Sequence, residues 1–521
     1  MSIIQVQQLS FTYPGSYVPV FDKLSFHMDS SWRLGLVGRN GRGKTTLLKL
    51  IAGELRGQGS IQTPLSFSLF PFPVEEENSA LTVLRQVIAP FDQWERDMQK
   101  LLETGEELNQ WGHLESLYTH HDGYVINEYI AREVARMGLD PGQLNRIFNT
   151  FSPGERTRML LSALFLKKNH FLLIDEPTNH LDLPGRKRVA EYLQSQAGFL
   201  LVSHDRDFLD TSCDHIMALQ KNAVRIEQGT YSSYAHNKEQ QDAADKEKNA
   251  RLEKDITRLN ASSREKKNWS DQVERSKKGQ HVADRGFVGA KSASMMRKAM
   301  NLQKRIQRQV EEKEGLLKNL EYTAELKLRP LPHRAGKLLR LHDVCVGYEG
   351  VPVLTHFTMD IAQGEKVAIT GRNGAGKSTL LKTLQREMPL LEGRMTGPGD
   401  LVLSILPQVS GELSGTPYDY ARKLRLETDF FLTLLRKLDF PREAFDRPME
   451  GYSLGQKKKV LLAASLAQQA HLYLWDEPLN YIDLESREQI ENLLLQTDAT
   501  LVFVEHDQRF VERVATRTIT L

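Results

Sequence analysis

Two nonapeptides in this 521-residue chain have the composition and spacing that wrap a phosphate: Gly38-Arg39-Asn40-Gly41-Arg42-Gly43-Lys44-Thr45-Thr46 and Gly371-Arg372-Asn373-Gly374-Ala375-Gly376-Lys377-Ser378-Thr379. Both fit the pattern G-x-x-x-x-G-K-[ST]. Its glycines let backbone N–H groups curl around an anion at a helix N-terminus, its lysine reaches the β- and γ-phosphates, and its hydroxyl ligates Mg²⁺. Lys44 and Lys377 are therefore expected on phosphate, and Thr45 and Ser378 on the metal. Two Asp-Glu pairs, Asp175-Glu176 and Asp476-Glu477, supply carboxylates for two jobs. The aspartates suit the Mg²⁺ shell and the glutamates suit polarising an attacking water. His204 and His506 stand at matching distances beyond these pairs and suit contact with a γ-phosphate, holding the water in line. Taken singly, each carboxylate pair reads as a strand cap and each histidine as an ordinary strand-end residue. That reading leaves the matched spacing unexplained.

These groups need strands and helices to hold them. Residues 34–37 and 367–370 are short, mainly apolar runs ending at the first glycine of each loop, and residues 45–51 and 378–384 continue with helical character. Strand, glycine loop, helix is the context that the phosphate pattern requires. Residues 171–174 and 472–475, and then 199–202 and 501–504, are apolar runs of strand length without alternation, as expected for strands covered on both faces. The fold class expected is α/β.

The chain repeats itself. The glycine loops are 333 residues apart, the Asp-Glu pairs 301 and the histidines 302, so some 32 residues in the first copy have no counterpart in the second. A period this long indicates duplicated domains, since solenoid repeats run to roughly 20 to 50 residues. The expected boundaries are a first domain over residues 1–237, a linker over 238–325 and a second domain over 326–521. His113, His120 and His121 fall in the extra segment of copy one and are read as surface residues without supporting carboxylate geometry.

The linker has its own composition. Residues 238–325 hold 21 Lys and Arg against 15 Asp and Glu, and no Pro, while residues 256–310 alone carry a net charge of +10. The whole chain carries only +2, so positive charge is concentrated there. Leu252, Ile256 and Leu259, and then Leu302, Ile306 and Val310, follow helical spacing on either side of a glycine-interrupted tip at residues 279–291. This predicts two antiparallel helices, each reaching roughly 60 Å over forty residues. A solvated spacer is the bland reading. Basic charge crowded around the tip suits a phosphate backbone instead, and RNA in particular. Phe287 and Val288 at the tip either close its own small core or bury against another surface.

Composition excludes other classes. No run approaches the roughly 18 to 20 apolar residues that span a bilayer, and residues 1–6 lack the features of a secretory signal. Two distant cysteines, Cys213 and Cys345, argue against a disulfide framework or a cysteine metal site, so a cytoplasmic location is expected.

Through both glycine loops, the run Leu173-Ile174-Asp175-Glu176-Pro177-Thr178-Asn179-His180-Leu181-Asp182-Leu183 and the less usual Trp475-Asp476-Glu477-Pro478-Leu479-Asn480-Tyr481, the chain resembles the tandem ATP-binding cassette proteins of the F class, which act on ribosomes. Within that class it is most similar to the Lsa-type antibiotic-resistance proteins. The resemblance covers essentially the whole chain and implies two P-loop cassette domains joined by a long antiparallel two-helix coiled coil. It implies ATP with Mg²⁺, adenine stacking by Tyr13 and Tyr348, and a metal-shell amide from Gln408. It also implies signature segments at Ser152, Gly154 and Glu155 and at Ser453, Gly455 and Gln456, each completing the site of the other cassette by pairing within one chain. Its partners are the ribosome, through large-subunit rRNA and tRNA near the exit site, with neither membrane nor DNA. The linker tip, with Arg285, Phe287, Val288 and Lys291, is then the element that approaches the peptidyl-transferase centre and displaces lincosamide, pleuromutilin and streptogramin A drugs. The chain departs from the family pattern at Phe72, where a glutamine is usual, and at Pro153 and Leu454, where the signature has glycine. A translation factor without drug phenotype and the ATPase subunit of a drug exporter are the competing readings. The exporter lacks a spanning segment here, and Phe72 replaces the glutamine that would grip a membrane partner.

Overall fold

The computed structural model describes residues 2–15, 18–104, 108–179, 181–220, 223–276, 326–372, 374–408 and 413–521. The chain divides into one compact unit formed by Met1–Ser232 with Thr323–Leu521, and another formed by Ser233–Tyr322. Both glycine loops belong to the first unit.

The first copy is built on a six-stranded sheet in the order Ser66–Phe70, His170–Asp175, Phe199–Val202, Arg33–Val37, His215–Leu219 and Val224–Gln228. Its first five strands are parallel and the last pair is antiparallel. The unalternating apolar runs lie where both faces are covered: Phe171, Leu173, Phe199, Leu200 and Leu34 are all buried. Register pairs Asp175 with Val202 and Leu36 with Val202. The Asp-Glu pair, the histidine segment and the glycine loop therefore leave the sheet at one edge, where parallel α/β sheets bind ligands at the carboxyl ends of their strands. A second, antiparallel sheet of Phe21–Asp29, Ile3–Phe11 and Gln58–Gln62 shares a core with the first through Ile4, Val6, Leu47 and Leu48.

The second copy repeats this plan with a five-stranded, all-parallel sheet of Leu403–Leu406, Leu472–Asp476, Leu501–Val504, Lys366–Thr370 and Arg517–Thr520. Its antiparallel sheet is Val351–Ala362, Lys337–Tyr348 and Glu392–Thr396. Trp475 and Tyr473 are fully buried beneath the helices Thr428–Lys437 and Leu454–Ala467, and the Trp475 indole N–H donates to Ser465 Oγ at 2.9 Å, so the buried polar group is satisfied.

The extra segment of copy one contains two helices, Phe91–Thr104 and Leu108–His120, between Ala80–Ile88 and Ile126–Arg136. Phe91, Trp94 and Tyr118 pack edge to face there, while Arg85 bridges Asp92 and Glu95. His113 and His120 are exposed, as read from the sequence. His121 is not: it is half-buried, its ring 5.4 Å from Trp94, and burial pushes its pKa below the usual imidazole range. Among the described residues no His, Cys, Asp or Glu cluster forms a metal site.

The helix Tyr231–Ser276 runs for 46 residues, about 70 Å at 1.5 Å per residue. Among the described residues no helix is long and apolar enough to cross a membrane.

Candidate nucleotide sites

Each glycine loop ends at a glycine in the left-handed region, Gly43 at φ 90° and Gly376 at φ 94°, which caps the helix Lys44–Ala52 or Lys377–Leu384. A side chain at Gly43 would also strike Val20 and Phe21. The lysine ammonium is held inside its own loop. Lys44 Nζ donates to Gly38 O at 2.7 Å, and Lys377 Nζ donates to Gly371 O and Arg372 O at 2.9 Å each. Gly41 and Gly374 adopt positive φ with open space around them. Asn373 falls outside the described residues, as do Arg285, Phe287, Val288 and Lys291.

Beside each loop lies the carboxylate pair. Thr45 Oγ1 donates to Asp175 Oδ2 at 2.7 Å, and Ser378 hydrogen-bonds the Asp476 side chain. A hydroxyl and a carboxylate at hydrogen-bond distance make a hard-oxygen pair of the kind Mg²⁺ takes. Asp476 Oδ1 is buried with no hydrogen-bond partner among the described residues, so the donor set fits the ion. Glu176 and Glu477 follow in left-handed backbone, at φ 49° and 47°. That conformation is unfavourable for a side chain with a Cβ, and each N–H is fixed to the neighbouring strand, at Val202 O and Val504 O.

The two glutamates have different surroundings. Glu176 Oε1 is buried without a hydrogen-bond partner among the described residues, at 3.4 Å from His204 Nε2. Burial, reinforced by Asp175, pushes its pKa up to about 8. Burial, with Lys44 and Arg487 nearby, also holds His204 well below the usual imidazole range. Glu477 is buried too, yet hydrogen bonds from His506 and Gln408 outweigh burial and lower its pKa. Asn480 Nδ2 adds a bond to its Oε2 at 2.5 Å. The residue matching Gln408, two past the strand Ser66–Phe70, is Phe72, whose ring lies 6.4 Å from that of Phe70.

Tyr13 and Tyr348 remain partly exposed, with their hydroxyls 2.9 Å from Thr46 Oγ1 and 3.5 Å from Thr379 Oγ1. Tyr13 lines a cavity of about 320 Å³ together with Lys44, Thr45, Asp175, Glu176 and His204. Ser152 and Ser453 cap the helices Pro153–Leu164 and Leu454–Ala467 in reciprocal boxes with Glu155 and Gln456. The departures at Pro153 and Leu454 therefore fall at the first helical position, where proline's fixed φ fits and its missing N–H costs nothing.

The copies meet at the first site. Asn40 Nδ2 donates to Tyr481 O at 3.0 Å, and a methyl placed on Gly455 would lie 2.9 Å from Tyr481 O and 3.5 Å from Asn40 Nδ2. A second cavity of about 280 Å³ is lined by Asn40, Gly41, Glu176 and His204 from copy one and by Ser453, Gly455 and Gln456 from copy two. The loop of one copy and the signature of the other thus form one cleft. At the second site, burial lowers the pKa of Lys377 against the opposing pull of Glu477, Asp476 and, from copy one, Asp182.

Sequence reasoning missed the groups that hold the copies together. Arg39 Nε reaches Glu485 at 2.6 Å, Arg206 Nη1 meets Glu491 at 3.2 Å with both side chains buried, and Arg509 contacts Asp207 and Asp210. Asp483, buried against Lys459 at 2.8 Å, also faces Lys44 and His204. The only sequence signal was the repeat of Asn179-His180-Leu181-Asp182 as Asn480-Tyr481-Ile482-Asp483, to which no role attached.

Duplicated strand, glycine loop and helix units with paired carboxylates define a nucleotide-hydrolysing protein of the cassette type. The family described as ABC transporter matches residues 21–179 and 354–480. The chain belongs to that family, carries two of its ATP-binding domains in tandem and is an ATPase. It is 29% identical over its full length to the putative ATP-binding protein YdiF of Bacillus subtilis, covering 80% of that protein. It is 28% identical to the ribosome protection protein VmlR of the same organism, over 95% of this chain and 82% of the other. Among solved structures, the complex of archaeal ribosomal stalk protein aP1 with the archaeal ribosome recycling factor aABCE1 matches with a TM-score of 0.60 at 19% identity, covering 98% of this chain and 87% of that one.

Proposed function

We propose that this chain is an F-class, Lsa-like ATPase of the cytoplasm that binds the ribosome and protects its peptidyl-transferase centre from lincosamide, pleuromutilin and streptogramin A drugs. ATP closes the paired cassettes, and the linker tip enters beside the exit-site tRNA and large-subunit rRNA. The observation that carries this reading is the cleft that joins Asn40 and Glu176 of one copy to Ser453 and Gly455 of the other, because a nucleotide sandwiched there favours the closed pair over the open one. The similarity to a ribosome protection protein supports the choice of partner, and the +10 charge over residues 256–310 suits RNA phosphate.

In this mechanism Tyr13 and Tyr348 stack on adenine, and Lys44 and Lys377 with the loop N–H groups hold the phosphates. Thr45 with Asp175, and Ser378 with Asp476 and Gln408, would hold Mg²⁺, which would supply positive charge to offset that of the phosphates. Glu176 and Glu477 accept a proton from the attacking water, while His204 and His506 hold the γ-phosphate end in line. Hydrogen bonds that lower the pKa of Glu477 favour its ionised form, whereas burial and Asp175 work against ionisation of Glu176.

The test is co-sedimentation with ribosomes in MgATP. Replacing both Glu176 and Glu477 with Gln is expected to trap the chain on the ribosome, since closure persists without hydrolysis. A double variant that binds ATP but stays in the supernatant disproves the ribosome reading. Replacing Phe287 and Val288 is expected to reduce restoration of drug-inhibited translation in a purified system. Lowered intracellular drug in cells making the protein would favour the exporter reading instead.

A further inference from the structure

The second copy contains two buried ionic groups that the first lacks. Lys458, on the helix Leu454–Ala467, is 3% exposed and donates from Nζ to Pro407 O at 3.0 Å and to Asp476 O at 3.1 Å. Pro407 immediately precedes Gln408, and Asp476 immediately precedes Glu477. Glu505 is 4% exposed and accepts from Leu479 N at 3.1 Å, His506 N at 2.7 Å and Asp507 N at 3.3 Å. Lysine thus ties the glutamine segment to the end of the carboxylate strand. Glutamate ties the loop beyond that strand to the histidine segment.

Copy one has Thr157 and Ser203 at the matching positions. Thr157 is too short to span two carbonyls, and Ser203 Oγ accepts from Asp205 N at 3.1 Å. An ammonium and a carboxylate lose several kcal/mol of hydration when buried, and apolar residues of similar volume would pack such positions at less cost. Their bonds go almost entirely to the backbone of the segments that carry Gln408, Glu477 and His506. Burial lowers the Lys458 pKa to about 8, opposed first by Glu505 and then by Asp476 and Glu477, so the two groups sense one another across the site.

We propose that Lys458 and Glu505 are positioning residues of the second site, a cross-brace that fixes Gln408 and His506 against Glu477 before nucleotide arrives. This rests on the reading that Glu477 activates the water. Preorganisation of this kind acts on the chemical step, because groups held near their productive geometry need no rearrangement in the transition state.

The experiment uses the full chain with Glu176→Gln throughout, so that steady-state phosphate release reports the second site. Lys458→Met removes the donors at nearly equal volume, Lys458→Gln keeps two N–H donors without charge, and Glu505→Ser installs the residue of copy one. Lys458→Met and Glu505→Ser are each expected to lower kcat by about 10-fold or more with KM for MgATP changed by less than about 2-fold, as for an interaction expressed in the transition state. Lys458→Gln is expected to recover most of the lost kcat. The Lys458→Met/Glu505→Ser double variant is expected to be no slower than the slower single, because one brace is broken once. A kcat within about 2-fold of the parent for folded Lys458→Met, or a rise in KM alone, overturns the proposal and leaves Lys458 a packing group. If Lys458→Met does not fold, Glu505→Ser decides: unchanged kcat overturns the brace. Adding Glu477→Gln separates the two claims. If that variant hydrolyses ATP as fast as the parent, the assignment of Glu477 fails, and the brace loses the site it was proposed to align.

Discussion

The two nucleotide sites share one backbone plan and differ in what surrounds the glutamate. At the first, Glu176 is buried beside Asp175, with Phe72 in the position of the amide, and its pKa rises to about 8. At the second, Gln408, His506 and Asn480 contact Glu477 and its pKa falls. Both carboxyls are buried, and burial works to raise the pKa of each. Hydrogen bonds to the charged form pull Glu477 back down, while Asp175 pushes Glu176 further up. A duplicated motif therefore does not imply duplicated chemistry: burial and Asp175 push the Glu176 pKa up, whereas hydrogen bonds from His506 and Gln408 bring that of Glu477 down.

The comparison is broken most decisively at the glutamates. Glu477→Gln is expected to lower steady-state phosphate release by about 100-fold or more, the scale of a lost general base, while Glu176→Gln lowers it only a few-fold. A reversed order would invert the assignment of the faster site. Next in size is Asp483→Asn, which strands the buried Lys459 ammonium. Breaking such a pair costs about 3 kcal/mol and is read as a lowered thermal midpoint. Burial would raise the Asp483 pKa, but Lys459 holds it below the ordinary 3.8. The stability this carboxylate contributes is therefore full above pH 3.8 and is lost as the pH falls through the folded-state value. The gap between wild type and variant is expected to be constant near neutrality and to close in acid.

Phe72→Gln sharpens the contrast in the other direction. In a Glu477→Gln background, restoring the amide is expected to raise phosphate release by about 10-fold, about 1.4 kcal/mol in the barrier. No gain would mean that Phe72 is not what separates the sites. The smallest effect belongs to Arg509→Ala, which removes partly exposed contacts with Asp207 and Asp210 across the copies. About 0.5 kcal/mol is expected after solvent screening, and the difference from wild type should shrink in high salt.

Much of the fold could be read directly. The apolar runs at residues 171–174 and 501–504 predicted strands covered on both faces, and both runs are fully buried in the strands His170–Asp175 and Leu501–Val504. The departures at Pro153 and Leu454 both fall at the first position of a helix, which accommodates either residue. His121, taken for a surface residue, packs against Trp94 because the two inserted helices build a small aromatic core that no local spacing announced. Lys458 and Glu505 were invisible for a similar reason. A lysine in a Lys-Lys-Lys run on a helix looks solvated, and only the fold shows that its helix turns this one inward.

By itself the sequence determined the local chemistry: glycine loops, paired carboxylates and histidines at strand ends, twice over, because each depends on a few consecutive residues and the strand or helix they continue. Tertiary structure alone decided which ion pairs join the copies, which buried charges brace the second site and in which direction each glutamate's pKa moves. Those outcomes depend on burial and on partners far apart in the chain, such as Asn40 and Tyr481, 441 positions apart, and no short-range pattern encodes such distances.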